Sequence, residues 1–353
     1  MTSSIDLSSL NLTMSNSSDS HCAHCDTTVD ISIKIAALCV IMVGALLCNS
    51  LVISVFLTNP SLHKTVNYFL VNMAISDLLC PIVAIPKRLV MLITRQSSWQ
   101  VKGTAGLILC KVQPLLQDLS LAVSILSIIC ITVDRFYAVK RPLRISLIPD
   151  KARCLTIVLI WLLAFLNYSP YLDAFELAIY HGKTYCNLKW TPKSVTIFIT
   201  YVAVLYGVLP WILVVILYGF IMVCLRRAKV RMQANAQSLM QHRRTASVTR
   251  QAFAIVFAFA VCTFPQTVIF MILAYYYKFT YSPLPYWPQL YFATEFMLFA
   301  NSVLNPCICL FLNENYRNGL WRLLRRSDRI HPDVVREEIP IENLTRSTVA
   351  ARQ

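Results

Sequence analysis

Seven long apolar stretches divide the chain, and shorter polar segments separate them. A helix needs about 20 predominantly apolar residues to cross a bilayer, and each stretch is of about that length or longer. Several contain an internal proline, which a lipid-buried helix tolerates when neighbouring groups bond the freed carbonyl. The pattern predicts an all-α membrane protein, a seven-transmembrane helix bundle. The predicted spans are Ile31–Leu57, Val66–Leu92, Leu107–Phe136, Cys154–Leu172, Val195–Leu225, Ala252–Tyr277 and Trp287–Leu312.

The composition agrees with lipid as the main solvent of the chain. Apolar residues make up 57% of the 353 residues and charged residues 14%, against about 45–50% and about 25% in soluble domains. A surface so poor in charge would aggregate in water, and the abundance of Leu, Ile, Val and Phe excludes disorder. The pair of soluble domains that the length alone suggests is therefore excluded.

The basic residues predict the orientation of the spans. Lys and Arg number 32 against 17 Asp and Glu, which gives a formal charge of +15. If the N-terminus is outside, most basic residues fall in the inner segments, as the positive-inside rule requires. A nucleic-acid-binding surface would need a soluble domain, and no loop is long enough to form one. We therefore expect a multi-pass plasma-membrane protein with an extracellular N-terminus and no nucleic-acid partner.

Polar segments flank the predicted bundle. The N-terminal tail lacks the basic start and apolar core of a signal peptide, and sequons at Asn11 and Asn16 predict its glycosylation. Cys22 and Cys25 favour a mobile tail or a local disulfide over a zinc site, because the run is too short to enclose a tetrahedral ion. The predicted domains are a glycosylated extracellular tail (1–30), the bundle (31–312), an amphipathic helix at the membrane interface (313–326) and a cytoplasmic tail (327–353).

Asp77 falls in the middle of the second predicted span, where an ionisable group needs partners. Candidate partners on other spans are Asn49, Ser124, Asn301 and Asn305. Their oxygens suit a small hard cation, but a neutral Asp77 in a hydrogen-bonded cluster explains the same residues. The residues alone leave both alternatives open.

Asp134 and Arg135 are adjacent at the inner end of the third predicted span. An acid and a base at the membrane surface can form a simple end cap whose long side chain reaches the headgroups. Taken on its own, the pair favours that interpretation.

Motifs in successive spans form an ordered set. They are Asn49, the run Asn67 to Asp77, Asp134-Arg135-Phe136 with Ala138-Val139 and Pro142-Leu143, Trp161, Pro210 with Tyr218, Phe259 with Pro265, and Asn305-Pro306. Through these motifs, the chain from about Ile31 to Arg326 resembles the rhodopsin-like (class A) G-protein-coupled receptors. Among them, it resembles the neuropeptide-receptor branch. One such motif is weak, whereas all of them in order are specific.

The resemblance implies an allosteric sodium site near the middle of the membrane. Residues that match Asp77, Ser124, Asn301 and Asn305 bound sodium in relatives, and all four are present here. No other metal and no cofactor is expected.

The resemblance also implies a switch that connects the ligand pocket to a G protein. Arg135 would leave Asp134 on activation and meet the G protein. Ile125, Pro210 and Phe259 match a packing trio that couples the pocket to movement of the sixth span, although core packing also explains Ile125 and Phe259. The other implied switch residues are Tyr218, Thr263, Pro265 and Pro306.

Three departures from the family affect this switch. Thr263 replaces a Trp, with Phe264 adjacent, and Cys309 replaces the Tyr of the last span. No acid occurs from Leu225 to Ala252, so Arg135 has no carboxylate on the sixth span to hold it. We expect ligand-dependent signalling with a measurable basal component.

The resemblance implies a disulfide and a set of partners. A bond between Cys110 and Cys186 would tie the second outer loop over the pocket. The implied partners are an extracellular ligand, a heterotrimeric G protein, membrane lipids, and arrestin and receptor kinases that act on the tail.

The predicted ligand pocket carries both signs of charge. Gln117 stands where amine receptors place an ammonium-binding Asp, and Gln there resembles many peptide receptors. Asp118 and Glu295 are candidates for a basic ligand group, but Lys87 and Arg88 could pair with those acids instead. The other predicted pocket residues are Gln113 and Gln266.

The function expected from these residues is that of a peptide receptor, for example for an amidated neuropeptide. The alternative is a receptor for an amine or a lipid. A transporter is remote because no internal repeat is visible. An enzyme is not expected, because Asp77, Asp118 and Asp134 fall at different depths and cannot form an intramembrane protease pair.

Overall fold

The computed structural model describes residues 26–140, 149–231, 236–278 and 286–330. Within these residues, seven helices are long and apolar enough to cross a membrane, which confirms the predicted bundle. An eighth helix follows the seventh after one residue. The helices are α1 (Thr28–Thr58), α2 (Thr65–Thr94), α3 (Gly103–Lys140), α4 (Asp150–Tyr168), α5 (Pro192–Val202, Ala203–Val208 and Leu209–Arg231), α6 (Ala236–Tyr275), α7 (Trp287–Leu312) and α8 (Glu314–Ile330).

Helices α2 and α5 each contain a π turn next to a proline. In α2 it spans Cys80–Ala84 and includes a proline, and in α5 it spans Ala203–Val208, just before Pro210. Proline lacks an N–H donor and its ring crowds the preceding turn, so a wider turn accommodates it. Pro265 and Pro306 instead lie inside helices without such a turn.

Three helices extend, at the end of the bundle that carries Arg135, beyond the apolar stretches that predicted them. Helix α3 continues to Lys140, α5 continues to Arg231, and α6 begins at Ala236. These extensions are rich in polar and basic residues, so hydropathy does not detect them. Backbone hydrogen bonding continues through them because an α-helix does not require apolar side chains.

A two-stranded antiparallel hairpin, which was not predicted, precedes α5. It consists of β1 (Phe175–Tyr180) and β2 (Lys183–Leu188). His181 and Gly182 have positive φ angles of 49° and 75°, and such two-residue turns match the natural twist of paired strands. The one-turn helix Tyr171–Ala174 leads into β1.

The hairpin marks one end of the bundle, which we call the hairpin end. The start of α1 lies at the same end, because Arg95 at the end of α2 donates to the Thr28 hydroxyl at 3.0 Å. The Trp99 N–H after α2 donates to the Thr184 carbonyl of β2 at 2.6 Å. The opposite end carries Arg135 and α8, and we call it the Arg135 end.

Polar side chains hold the interior of the bundle together, while its outer surface is apolar. Asn72 of α2 donates to Ser127 of α3 at 2.9 Å and accepts from the Trp161 indole of α4 at 2.8 Å. Interhelical bonds of this kind matter in lipid, where helices gain little from hydrophobic burial. Large side chains such as Val40 and Leu155 are exposed, as a lipid-facing surface requires.

Helix α8 packs against the end of α1. At Gly319 an added Cβ would lie 2.7 Å from Val55 Cγ1, so the glycine permits the close approach of the two helices. Tyr316 is fully buried at this contact, and burial raises the pKa of its hydroxyl. The helix extends to Ile330, beyond the predicted segment 313–326.

Some predicted features lie outside the described residues. Asn11, Asn16, Cys22 and Cys25 precede residue 26, and most of the tail 327–353 follows residue 330. Glycosylation and the state of these cysteines therefore stay predictions.

Candidate functional site

A cavity of about 1410 Å³ lies at the hairpin end. Its walls come from α2, α3, α5, α6 and α7, and part of β2 contributes to its lining. All six residues that were predicted for the ligand pocket line it: Lys87, Gln113, Gln117, Asp118, Gln266 and Glu295.

A disulfide fixes the hairpin to the bundle beside this cavity. Cys110 of α3 and Cys186 of β2 are bonded, with their Cα atoms 5.6 Å apart. Lys111 also donates to the Leu172 carbonyl at 2.7 Å. The segment between α4 and α5 is therefore held at the mouth of the cavity.

Glu295 already has a cationic partner within the protein. The Arg88 Nε atom lies 2.8 Å from Glu295 Oε2, and both side chains are largely buried. The pair joins α2 to α7, and the Arg88 guanidinium lies 5.8 Å from the centre of the Phe292 ring. The internal pairing that the sequence left open is thus present for Glu295, which is not free to meet a ligand cation.

A chain of polar side chains connects α2 to α3 across the cavity wall. The Lys87 ammonium donates to Gln113 Oε1 at 3.0 Å, and Gln113 Nε2 donates to Gln117 Oε1 at 3.1 Å. Lys87 also lies 5.7 Å from the centre of the Trp99 ring. An amide of α3 therefore holds the Lys87 side chain in place next to the cavity.

Asp118 has a hydroxyl partner and no cationic one. Tyr171 donates its hydroxyl to Asp118 Oδ2 at 2.8 Å. No ion pair to Asp118 is present within the described parts of the chain. Of the two predicted acids, Asp118 is therefore the one without an ion-pair partner among the described residues, and the one open to a ligand cation.

Gln266 belongs to an interhelical contact. The Thr294 hydroxyl of α7 donates to Gln266 Oε1 of α6 at 2.6 Å, and both residues are buried. Gln266 therefore contributes to the wall of the cavity and to the α6–α7 contact at once.

Asp77 lies at the centre of a buried polar cluster. It accepts from the Ser124 hydroxyl at 3.1 Å and from the Asn305 amide at 3.0 Å. Ser76 and Ser124 are hydrogen bonded at 3.2 Å. The cluster joins α2, α3 and α7 around one carboxylate.

The other two predicted partners of Asp77 do not bond it. Asn49 donates to the carbonyls of Ala45 and Ser302, both at 2.8 Å. The Oδ1 atom of Asn301 is buried and has no hydrogen-bond partner among the described residues. The oxygens of Asp77, Ser124 and Asn301 are a chemically suitable donor set for sodium.

At the opposite end, Arg135 forms an ion pair with its neighbour Asp134. Asp134 is buried, and Tyr218 of α5 is buried as well. The adjacent pair that the sequence predicted is therefore formed within α3.

The predicted packing trio lies in the core. Ile125 and Phe259 are buried, and Pro210 follows the π turn of α5. Trp211, directly after Pro210, packs on Phe259 with ring centres 6.1 Å apart. An indole of α5 thus contacts the phenyl ring of α6, a contact that the sequence reasoning did not identify.

Phe264 does not take the place of the missing Trp. Phe264 is 66% exposed and lies at the edge of the cavity, outside the buried core. The Thr263 hydroxyl, which faces the cavity, donates to the Phe259 carbonyl one turn earlier at 2.9 Å. This bond lies just before Pro265, where α6 lacks a backbone donor.

A buried amide pair joins α6 to the junction of α7 and α8, and sequence reasoning missed it. Asn313 Nδ2 donates to Gln251 Oε1 at 2.9 Å. Asn313 Oδ1 accepts from the backbone N–H groups of Asn315 and Tyr316 at 3.0 and 3.4 Å, so the same residue caps α8. The sequence did contain a signal for this cap, because Asn313 is a polar residue directly before the amphipathic segment of leucines and arginines.

Cys309 lies in the same region as this amide pair. It is buried on the last turn of α7, three residues after Pro306. The Gln251 side chain lies near its thiol. The position where the family has a Tyr is therefore close to the residue that ties α6 to α8.

Comparisons with known proteins agree with this geometry. The profile described as 7 transmembrane receptor (rhodopsin family) matches residues 48–308. The chain is 27% identical over 327 residues to the QRFP-like peptide receptor of Branchiostoma floridae, covering 87% of the chain and 82% of that receptor. It is 28% identical to Neuropeptide FF receptor 2 of Mus musculus over 305 residues, 82% of the chain and 71% of that receptor.

A third relative is similar over a smaller share of its length. The Neuromedin-K receptor of Homo sapiens is 26% identical over 288 residues, which cover 81% of the chain and 60% of that receptor. The chain therefore spans less than two thirds of this relative.

Proposed function

Because the chain belongs to the rhodopsin family of seven-transmembrane receptors, we propose that it is a receptor for an extracellular peptide. The peptide binds in the cavity at the hairpin end, and the receptor activates a heterotrimeric G protein at the Arg135 end. The chain has no enzymatic role in this proposal.

The size and charge of the cavity carry the proposal. Its volume of about 1410 Å³ exceeds the roughly 300–1,000 Å³ of pockets for drug-sized ligands. Lys87 and Asp118 offer charges of both signs on its walls, which suits a peptide with charged side chains and polar backbone groups. Two of the relatives are named as receptors for peptides, the QRFP-like peptide receptor and Neuropeptide FF receptor 2.

Sodium is proposed as an allosteric ion at Asp77. A carboxylate buried in the middle of a membrane is costly without a compensating charge. Further oxygens come from the Ser124 hydroxyl and from Asn301 Oδ1, which has no hydrogen-bond partner in the part of the chain that the structure describes. A bound cation would favour the closed packing of α2, α3 and α7 that these residues form.

Coupling to the G protein requires α6 to move away from the Arg135 end. Arg135 is held by Asp134 of its own helix, while α6 is held by the bond between Gln251 and Asn313. Activation would release both contacts and expose Arg135. Because one neutral hydrogen bond is worth only about 0.5–1.5 kcal/mol, we expect some basal activity.

The protein is placed in the plasma membrane with its hairpin end outside the cell. The basic residues of the Arg135 end support this orientation. Helix α8 would lie on anionic headgroups, since its arginines alternate with leucines. The tail after it is proposed to meet receptor kinases and arrestin, and Asn11 and Asn16 are proposed as glycosylation sites.

The proposal is tested by a ligand screen in cells that carry promiscuous Gα reporters. The panel contains amidated and free-acid peptides, biogenic amines and lipids. We expect peptides to activate the wild-type chain but not Arg135→Ala at equal surface expression. A response to amines or lipids alone would establish the small-molecule alternative, and a peptide response that Arg135→Ala leaves intact would contradict the proposed coupling.

A further inference from the structure

Of the two acids on the cavity wall, only one has a cationic partner among the described residues. Four charged residues line it: Lys87 and Arg88 of α2, Asp118 of α3 and Glu295 of α7. Glu295 pairs with Arg88 and also interacts electrostatically with Lys87. Asp118 has only the Tyr171 hydroxyl, without an ion pair to any residue that the structure describes. The α2–α7 side of the cavity is thus net positive, and the α3 side is negative.

A cluster of aromatic rings lies beside Asp118, and we call it the aromatic cluster. Its members line the cavity and come from α4, α5, the one-turn helix and the segment after β2. The Tyr171 ring lies 5.7 Å from Tyr168 and 5.2 Å from Phe198, centre to centre. The aromatic cluster consists of Tyr168, Tyr171, Trp190, Phe198 and Tyr206.

The cluster forms a continuous wall. Tyr168 stacks on Tyr206 with ring centres 5.8 Å apart, and Trp190 meets Phe198 edge-to-face at 5.2 Å. Tyr171 joins the wall to the acid, because its ring belongs to the cluster and its hydroxyl bonds Asp118. A carboxylate next to aromatic faces is the arrangement that attracts a cation by both Coulomb and cation–π forces.

We propose that Asp118 and the aromatic cluster form a subsite for the guanidinium group of an arginine side chain in the ligand. This inference rests on the proposed function and specifies the class of peptide. Guanidinium is planar, weakly hydrated and suited to stacking on rings, whereas ammonium is a compact and strongly hydrated charge. The five rings line the cavity beside Asp118, and an aromatic lining favours guanidinium over an amine.

The positions of the neighbouring residues support this assignment. Asp118 follows Gln117 on α3, so the two side chains point about 100° apart. Gln117 is bonded toward Gln113 and α2, while Asp118 is bonded toward Tyr171 beyond α4. A ligand cation is repelled by Lys87, while Arg88 is paired with Glu295, so the cation is drawn to Asp118.

The subsite can be tested without knowing the natural ligand. The probes are N-acetyl-arginine amide and its neutral isostere N-acetyl-citrulline amide, titrated against the purified full chain while its thermal stability is followed. We expect arginine amide to bind at least about tenfold more tightly than citrulline amide, the factor that one charge-assisted contact supplies. Equal affinity for the two probes would overturn the proposal.

Substitutions of Asp118 test whether the arginine probe binds at this residue. Asp118→Asn can still accept the Tyr171 hydroxyl, and we expect it to bind the two probes equally, whereas Asp118→Glu should retain the preference for arginine. The matched control is Asp173→Asn, which alters an exposed acid outside the cavity and should bind like the wild type. A preference that survives in Asp118→Asn would overturn the assignment.

The experiments distinguish a failure of the guanidinium subsite from a failure of the proposed peptide-receptor function. Tighter binding of phenylethylamine than of arginine amide at Asp118 would contradict the guanidinium assignment. A peptide screen without any response would contradict the peptide receptor, even if arginine amide binds at Asp118. The wild-type comparison of the two amides stands even if Asp118→Asn does not fold.

Discussion

Arg88 and Glu295 form a largely buried ion pair that joins α2 to α7 at the edge of the cavity. Removing such charges from water is costly, and their attraction repays the cost only while both are present. The loss of one partner is therefore more damaging than the loss of both. The pair stabilises the cavity wall and leaves recognition of a ligand cation to Asp118.

This difference gives a stability prediction for the pair. We expect Glu295→Met to lower the unfolding free energy by about 3 kcal/mol, because it leaves Arg88 without its acid. Arg88→Met should cost less, because Lys87 still lies near Glu295. The double variant should recover most of the loss. Thermal unfolding of the purified chain measures this effect. Lys189→Met, which breaks the exposed pair with Asp173, is the control and should change little; a double variant as unstable as the sum of the singles would contradict the pairing.

The Asp77 cluster gives a prediction about salt. If sodium binds there, replacing NaCl by choline chloride at equal ionic strength should lower the melting temperature of the wild type, because a ligand of the folded state stabilises it. Asp77→Asn should show no difference between the two salts, and Ser127→Ala, a polar change outside the cluster, should keep the wild-type difference. Equal melting temperatures of the wild type in both salts would refute the sodium site.

At the residue scale, the sequence identified polar side chains that line the cavity but not their partners. All six predicted pocket residues line the cavity. A polar side chain in an apolar span avoids lipid by facing the inside of the bundle, so these few residues were easy to select. Whether Glu295 pairs with Arg88 or stays free to meet a ligand depends on how α2 and α7 are rotated about their axes. The spacing of residues within each span does not determine that rotation. For the same reason, the sequence could not predict that Tyr171 is the partner of Asp118.

At the element scale, α6 is the helix whose attachment differs from the family pattern. No acid lies between Leu225 and Ala252 to hold Arg135. Gln251 of α6 instead bonds Asn313, which also caps α8. One amide pair therefore connects the end of α6 to the start of α8, and its rupture would release α6 from the Arg135 end.

This contact predicts a change in basal signalling. Gln251→Leu removes the bond to Asn313, and a loss of about 0.5–1.5 kcal/mol from the closed state corresponds to a rise of about 2- to 12-fold in the open population. Basal second-messenger output per receptor at the cell surface measures it. Asn167→Leu removes an amide of α4 that accepts from the Tyr201 hydroxyl of α5, away from α6, and serves as the control. Unchanged or reduced basal output in Gln251→Leu would show that the bond does not restrain α6.

The helices were predictable as elements because each apolar run is long enough to span a bilayer. Their ends were not, since α3, α5 and α6 continue into basic segments that no hydropathy pattern marks. The hairpin was missed because its strands are six residues each and its turn, His181-Gly182, is not among the commonest turn pairs.

At the scale of the whole molecule, the two ends of the bundle have different chemistry. The hairpin end holds a large cavity with separated charges, roofed in part by a disulfide-bonded hairpin. The Arg135 end holds an ion pair, an amide pair and the amphipathic helix α8. Buried polar residues around Asp77 lie between the two ends and connect α2, α3 and α7. A ligand at one end and a G protein at the other would thus act on one bundle whose middle holds the Asp77 cluster.

The most direct test of this account is nucleotide exchange on heterotrimeric G proteins by the purified chain in lipid nanodiscs, with and without a pool of amidated arginine-containing peptides. We expect exchange above that of empty nanodiscs, a further increase with the peptides, and exchange reduced to background in Arg135→Ala. Lys183→Ala, an exposed change on the hairpin, should keep the wild-type basal rate. Exchange equal to empty nanodiscs with every class of G protein, with or without the peptides, would contradict the account.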